Sequence, residues 1–214
     1  MNQIEVVNNL TKYGWLNLDI NKLEIKPDHK FLNRTRTLKI NAKRLFQYVP
    51  EFMKPGNDIL DVSCGGGATL EIIKCVGSNG IGLEYYSSSG NKKPLCPEYY
   101  KDVNAYSNYE PLLKSQNMNY KIYDCSVTPY PFKDNSFDLV VNYGAITFYG
   151  EPEMWHVILD EFKRLSKNTI LLGVNVGHKW DRGEDMIDRW SNKQTDLDLI
   201  TKQGSIYKWK FKKS

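Results

Sequence analysis

The chain has 214 residues and a mass of 24.8 kDa, with 41% apolar and 25% charged residues; this balance excludes long disorder, a collagen-like chain and a membrane-embedded protein, and allows a sizeable core. Its net charge of +4 resides in residues 205–214, which hold Lys208, Lys210, Lys212 and Lys213 and no acid, leaving 25 Lys and Arg against 25 Asp and Glu elsewhere. A neutral body offers no duplex nucleic-acid track, and no apolar run approaches the ~18 residues of a spanning helix.

The opening MNQIEVVNNL carries no basic segment ahead of a hydrophobic stretch, so a cytoplasmic protein is expected. Residues 1–56 read as a helical cap, in which TRTLKINAKRLFQYVPEF places Leu38, Ala42, Leu45 and Phe46 on one side and Pro50 or Pro55 ends the helix. DILDVS (58–63) is a short apolar run ending in a glycine cluster, the pattern of a buried parallel strand. In ATLEIIKCV, Leu70, Ile73 and Val76 recur at helical spacing, and GSNG (77–80) stops that helix. Further strands are predicted over IGLEYY (81–86), YKIYDCSV (120–127), SFDLVVNYGAI (136–146) and NTILLGVNV (168–176).

Between the last two lies EPEMWHVILDEFKRLSK, where Met154, Ile158, Phe162 and Leu165 make one apolar stripe and Pro152 sits in the first turn. GEDMIDRWSNKQ reads as a helix, and DLDLITKQGSIYKWKFKK as a β-hairpin turning at Gly204. In its second arm Tyr207, Trp209 and Phe211 face one way and Lys208, Lys210 and Lys212 the other, the pattern of a strand with a solvated face or of a surface for an anionic partner. The stretch from Tyr85 to Asn119 is longer than a βα connection needs and rich in Ser, Pro and Tyr; it is either a lid or a surface elaboration. The alternation implies βαβ units with right-handed crossovers. One domain over 1–214 is expected, with a cap over 1–56, a core over 57–214 and an insertion over about 86–119.

The chemistry concentrates in ILDVSCGGGATL (59–70), where a strand delivers Asp61 and then Ser63, Gly65 and Gly67 at alternate positions before a helix begins. Such a turn lets backbone approach a ligand and points free helix N–H groups at it. Glu84, seventeen residues past Gly67, ends the next strand, where a carboxylate can accept both hydroxyl protons of a ribose. A nucleoside-containing cofactor suits that pair. Asp124, Cys125 and Ser126 follow a third strand and could read an adenine edge. PYPFKDNSFDLVVNYGAI then leads to a strand ending at Asn142 and Tyr143. The four cysteines, Cys64, Cys75, Cys96 and Cys125, have neither CxxC spacing nor a nearby His, so no zinc site or disulfide framework is indicated, and no metal is expected.

DVSCGGG (61–67), GLE (82–84), YDCS (123–126) and PFKDNSFDLVV (131–141) resemble the class I S-adenosylmethionine-dependent methyltransferases, with a good match over about 57–176. The resemblance implies an α/β fold: a Rossmann-like three-layer sandwich with a mostly parallel seven-stranded sheet whose last strand is antiparallel. It implies S-adenosyl-L-methionine as cofactor, held through its methionyl part by Asp61 and the loop Ser63, Cys64, Gly65 and Gly67. Glu84 would grip the ribose, Tyr85 lie beside the adenine, and Asp124 and Cys125 contact its edge. Asn142 and Tyr143 would line the methyl side. Ser63 departs from the family, which often has Gly there; the same residue weakens a dinucleotide reading.

Methyl transfer from a sulfonium is an in-line displacement, in which positioning accounts for much of the rate. Where the acceptor must lose a proton, His178 is the best-placed base, since it follows the fifth strand at the sheet edge that carries the glycine loop. His156 and His29 are less well placed. Tyr143 and Tyr149 are further catalytic candidates, with packing as the alternative. Asn142 is followed by YGA, without the proline pair and aromatic that amino-group methyltransferases of DNA and of protein glutamine resemble one another in carrying, and no Pro-Cys pair offers a cytosine C5 nucleophile. A small polar acceptor such as a sugar or metabolite, modified on O or N, is expected, without DNA or membrane and with RNA disfavoured. The alternatives are a non-catalytic methyltransferase-fold partner protein, an RNA methyltransferase and an NAD-dependent oxidoreductase.

Overall fold

The computed structural model describes residues 1–13, 34–84, 110–146, 151–174 and 180–212. Helix α1 (Gln3–Tyr13), helix α2 (Arg34–Tyr48) and a 3-10 turn (Pro50–Phe52) precede strand β1 (Asp58–Val62). Helix α3 (Ala68–Cys75) leads to β2 (Asn79–Glu84), and helix α4 (Glu110–Ser115) to β3 (Tyr120–Ile122). After β4 (Phe137–Tyr143), a 3-10 turn (Pro152–Met154) runs into helix α5 (Trp155–Leu165). Then come β5 (Ser166–Gly173), helix α6 (Trp180–Asn192) and the hairpin of β6 (Leu197–Gln203) and β7 (Ile206–Phe211).

The seven strands form one sheet in the order β3-β2-β1-β4-β5-β7-β6. All neighbours from β3 to β5 are parallel, and β7 runs antiparallel to both β5 and β6, as expected for the Rossmann-like class. The strand order reverses between β1 and β4, which opens a crevice at their carboxyl ends.

Because the central strands are covered on both faces, alternate residues feed two cores. Leu60, Val62, Val140 and Leu172 meet Trp155, Phe162 and Ile187 on the α5–α6 side. Ile59, Val141 and Leu171 meet Leu38, Leu45 and Ile73 from α2 and α3 on the other. Leu38, Ala42 and Leu45 of the predicted α2 stripe are buried, as are Leu70, Ile73 and Val76.

Five details differ from the pattern read in the sequence. Met154, expected on the α5 stripe, is 57% exposed because it belongs to the 3-10 turn ahead of that helix. Strand β2 begins at Asn79, two residues early, and β3 stops at Ile122. The Asp124 carboxylate accepts from both the N–H (3.1 Å) and the hydroxyl (2.6 Å) of Ser126, an Asx turn that follows β3. The long stretch after Glu84 ends in α4, whose Leu112 and Leu113 are fully buried. Lys208 is not on a solvated face: β7 lies inside the sheet, and the Lys208 ammonium donates to the Tyr48 carbonyl (2.6 Å) and to Glu51 (2.8 Å), tying the cap to the sheet.

At the opposite end of the sheet, Arg164 closes a polar clamp. Its guanidinium donates to the buried Glu161 carboxylate (Nε to Oε2, 2.8 Å), to the Phe132 carbonyl (3.0 Å), to the Tyr130 carbonyl (3.2 Å) and to Asp134. Glu161 in turn accepts from the Tyr130 N–H (2.6 Å). The turn before β4 is thereby fastened to α5. Removing the cation strands a buried carboxylate, so Arg164→Met is expected to cost about 2 to 4 kcal/mol. Urea unfolding should show a lower midpoint with an unchanged slope.

Candidate active site

At the tip of β1 the backbone turns through three left-handed residues, Ser63 (φ 57), Gly65 (φ 54) and Gly67 (φ 80). Serine at 63 accepts a conformation that costs an L-residue about 1 kcal/mol. A methyl group on Gly65 would meet nothing within 4 Å, so that side of the loop is open. Gly67 caps α3 with no side-chain hydrogen bond, which leaves first-turn N–H groups directed at the crevice. Cys64 points back into the fold, with its sulfur 2.5 Å from where a Cβ on Gly82 would lie. It therefore packs the loop onto β2, and burial pushes its thiol well above the ordinary range.

Two carboxylates flank the loop. Glu84, at the end of β2, accepts a hydrogen bond from the Gly65 N–H. Asp61, 3% exposed, has one oxygen, Oδ2, without a hydrogen-bond partner among the described residues. Burial, reinforced by the Glu84 charge, holds the Asp61 carboxyl well above the usual carboxylate range, and a hydrogen bond with Thr69 acts weakly against it. The Thr69 hydroxyl also accepts from the side-chain amide of Asn41 in α2 (3.1 Å). A cation placed here would relieve both the desolvation and the repulsion.

Asp124 and Cys125 stand in the turn after β3, with Asp124 engaged by Ser126 and Cys125 buried. Asn142 is fully buried; its amide donates to the Val62 carbonyl (3.0 Å) and accepts from the Ile146 N–H (3.3 Å), so it joins the ends of β1 and β4. Tyr143 faces the α2 side, where Gly173 makes room for its ring: a Cβ there would sit 2.7 Å from Cδ1. Tyr85, Tyr149, His178 and His29 lie outside the described residues. His156 is exposed on α5, its Nδ1 2.8 Å from the Glu153 carbonyl.

Residues 60–170, just over half of the chain, match the family model described as Methyltransferase domain. The chain belongs to this methyltransferase family. Two solved structures share the fold of the methyltransferase. A TehB-like S-adenosylmethionine-dependent methyltransferase from Corynebacterium glutamicum is 19% identical with a TM-score of 0.52, over 86% of this chain and 96% of its own. The PH0226 protein of Pyrococcus horikoshii is 15% identical with a TM-score of 0.56, over 95% and 99%. No curated protein matches the chain.

The residues present fit S-adenosylmethionine, the cofactor that the resemblance in the sequence implies. The unpartnered Asp61 oxygen suits an ammonium, and the open face of Gly65 admits a chain beside it. Thr69 and Asn41 carry little signal in the sequence. Thr69 is a small polar residue between Ala68 and Leu70 in the first turn of α3, and Asn41 lies on the flank of the α2 stripe.

The folded protein holds the Asp61 proton more tightly than the unfolded chain does. This group's contribution is therefore fully favourable below the ordinary aspartate pKa of about 4 and is lost as pH rises through the raised folded value. Asp61→Asn is expected to raise the melting temperature of the cofactor-free methyltransferase by about 2 to 4 °C at pH 8. The same change should weaken S-adenosylhomocysteine binding about tenfold to a hundredfold in a calorimetric titration.

Proposed function

We propose that the methyltransferase acts in the cytoplasm, as a single domain over 1–214, on an oxygen or nitrogen atom of a small polar acceptor such as a sugar or metabolite. The reading rests on the buried, cation-seeking Asp61 beside Glu84 and the open loop, at a sheet edge that α2 overhangs. When bound, the cofactor supplies a methyl group already activated on a sulfonium. The task left to the protein is alignment and exclusion of water.

In this proposal Asp61 receives the methionyl ammonium, and Ser63, Cys64, Gly65 and Gly67 form the cradle, with Cys64 acting through packing. Glu84 exchanges its bond to the Gly65 N–H for the ribose hydroxyls. Tyr85 lies along the adenine, with Asp124 and Cys125 at its edge. Asn142 holds the ends of β1 and β4 in register so that Tyr143 stays at the reacting side with Tyr149. His178 takes the acceptor proton where one must leave. No described helix is long and apolar enough to cross a membrane. The engagement of Lys208 with Glu51 takes one lysine away from any nucleic-acid track along β7.

Glu84→Ala is expected to weaken S-adenosylhomocysteine binding about tenfold to a hundredfold, because a pair of hydroxyls loses its acceptor; calorimetric titration reads this directly. With a methyl-labelled donor and a panel of hydroxyl- and amino-bearing metabolites beside total RNA, label should enter the small-molecule fraction. Label confined to RNA would overturn the acceptor class. His178→Ala should then lower kcat on the acceptor so found while leaving S-adenosylhomocysteine affinity unchanged. An unaltered kcat removes it as the base.

A further inference from the structure

The two helical layers of the sandwich carry opposite charge. Helix α2, RTRTLKINAKRLFQY, holds five Lys and Arg and no acid, whereas α6, on the other side of the sheet, holds four acids and two Arg. The total over the chain hides this, because charges that cancel in sum are separated by layer. Leu38, Ala42 and Leu45 turn one side of α2 into the core, so the opposite side presents Arg36, Lys39, Ile40 and Lys43, all exposed. Arg36 and Lys39 are three residues apart and Lys39 and Lys43 four, the spacings at which like charges repel along a helix.

Among the described residues no carboxylate forms an ion pair with any of these three cations. The two acids of the described cap are engaged elsewhere: Glu5 accepts from the Asn2 N–H (2.8 Å) and Glu51 from the Lys208 ammonium (2.8 Å). A counter-charge from outside the fold is what relieves the repulsion. Apolar groups accompany the cations. Ile40 stands among them, and Val6 and Leu10 turn α1 into the same core as α2, which leaves Ile4, 71% exposed, on the outer side of that layer.

Single-stranded nucleic acid takes cations interleaved with rings on which bases stack, and no aromatic side chain is exposed among the described residues. Cations interleaved with branched aliphatic chains suit the headgroup layer of an anionic membrane, where the charges meet phosphates and the aliphatic groups reach the acyl boundary. We propose that the outer face of α2, with Ile4 of α1, docks the protein on the surface of an anionic phospholipid bilayer. Arg36, Lys39 and Lys43 meet the headgroups, and the acidic α6 layer faces away, so charge decides which side of the sandwich lies down. This is adsorption and not a span, and it depends on neither the acceptor nor the cofactor. The other flank of the same helix reaches Thr69 beside Asp61 through Asn41, which holds the crevice close to the interface.

The test floats the 214-residue chain with vesicles of phosphatidylcholine alone and with vesicles carrying about one-third phosphatidylglycerol. Wild type is compared with the triple variant Arg36→Gln, Lys39→Gln, Lys43→Gln and with a control, Lys133→Gln, Lys193→Gln, Lys210→Gln, which removes the same charge from exposed lysines outside the cap. Wild type and control are expected to bind the anionic vesicles only, and the triple variant to bind them about a hundredfold more weakly, since each cation near such a surface contributes about fivefold. Raising the salt from about 0.1 M to about 0.5 M should release wild type. Ile4→Ser combined with Ile40→Ser should weaken vesicle binding about tenfold. Equal binding to both kinds of vesicle, binding to neither, a triple variant that behaves like the control, or an isoleucine variant that behaves like wild type overturns the proposal. Fluorescent oligouridylate is run in parallel: its capture through the same three cations, without vesicle binding, overturns the membrane and assigns the face to nucleic acid. The triple variant should melt no lower than wild type, because it removes like-charge repulsion; if it does melt lower, Lys39→Gln and Lys43→Gln are tested singly, and the proposal then requires an about fivefold loss in each.

Discussion

A carboxylate carried out of water to the tip of a central strand is the constraint around which this molecule is organised. Asp61 is buried because β1 lies in the middle of the sheet, with β2 on one side and β4 on the other. One of its oxygens lacks a partner among the described residues, and Glu84 adds a second negative charge nearby. In a self-contained fold such an arrangement is unfavourable. In a binding protein it stores affinity, since a ligand bearing a positive group removes the penalty on arrival. The hydrogen bond that Glu84 accepts from Gly65 acts in the same sense: it keeps the loop formed while leaving a carboxylate available for exchange.

The two ends of the sheet divide the work. At the carboxyl end, polar atoms of Asp61 and Tyr143 stand without partners among the described residues, and Glu84 is paired with an exchangeable one. At the amino end, Arg164 answers Glu161, Asp134 and two carbonyls at once. The complete satisfaction of one end supports the incomplete satisfaction of the other, because both are anchored on the same strands.

Much of this was legible in the sequence because local rules and tertiary structure agree. Near-continuous apolar runs mark the central strands, Gly204 marks the hairpin, and the spacing from Gly67 to Glu84 brings a loop and a carboxylate to adjacent strand ends. What escaped depends on partners far away in the chain. Lys208 reads as solvated until β7 is known to lie between β5 and β6, where the cap covers it. Asn142 reads as a polar strand end, yet Val62 and Ile146 engage its amide. The short β3 is a different case, since the competing Asx turn at Asp124 was present locally in the DCS tripeptide.

The bond between Lys208 and the end of α2 spans 160 residues and orders events during synthesis. The helix that overhangs the crevice is made before the lysine that fastens it, which belongs to β7, the last strand of the described sheet in chain order. A growing chain can lay down β1 through β5 and bury most of both cores before that strand inserts beside β5. Until then the cap lacks its anchor, and the crevice has a floor without a fixed roof. The fastening of the cap thereby waits on β7, a contact that closes a loop of 160 residues.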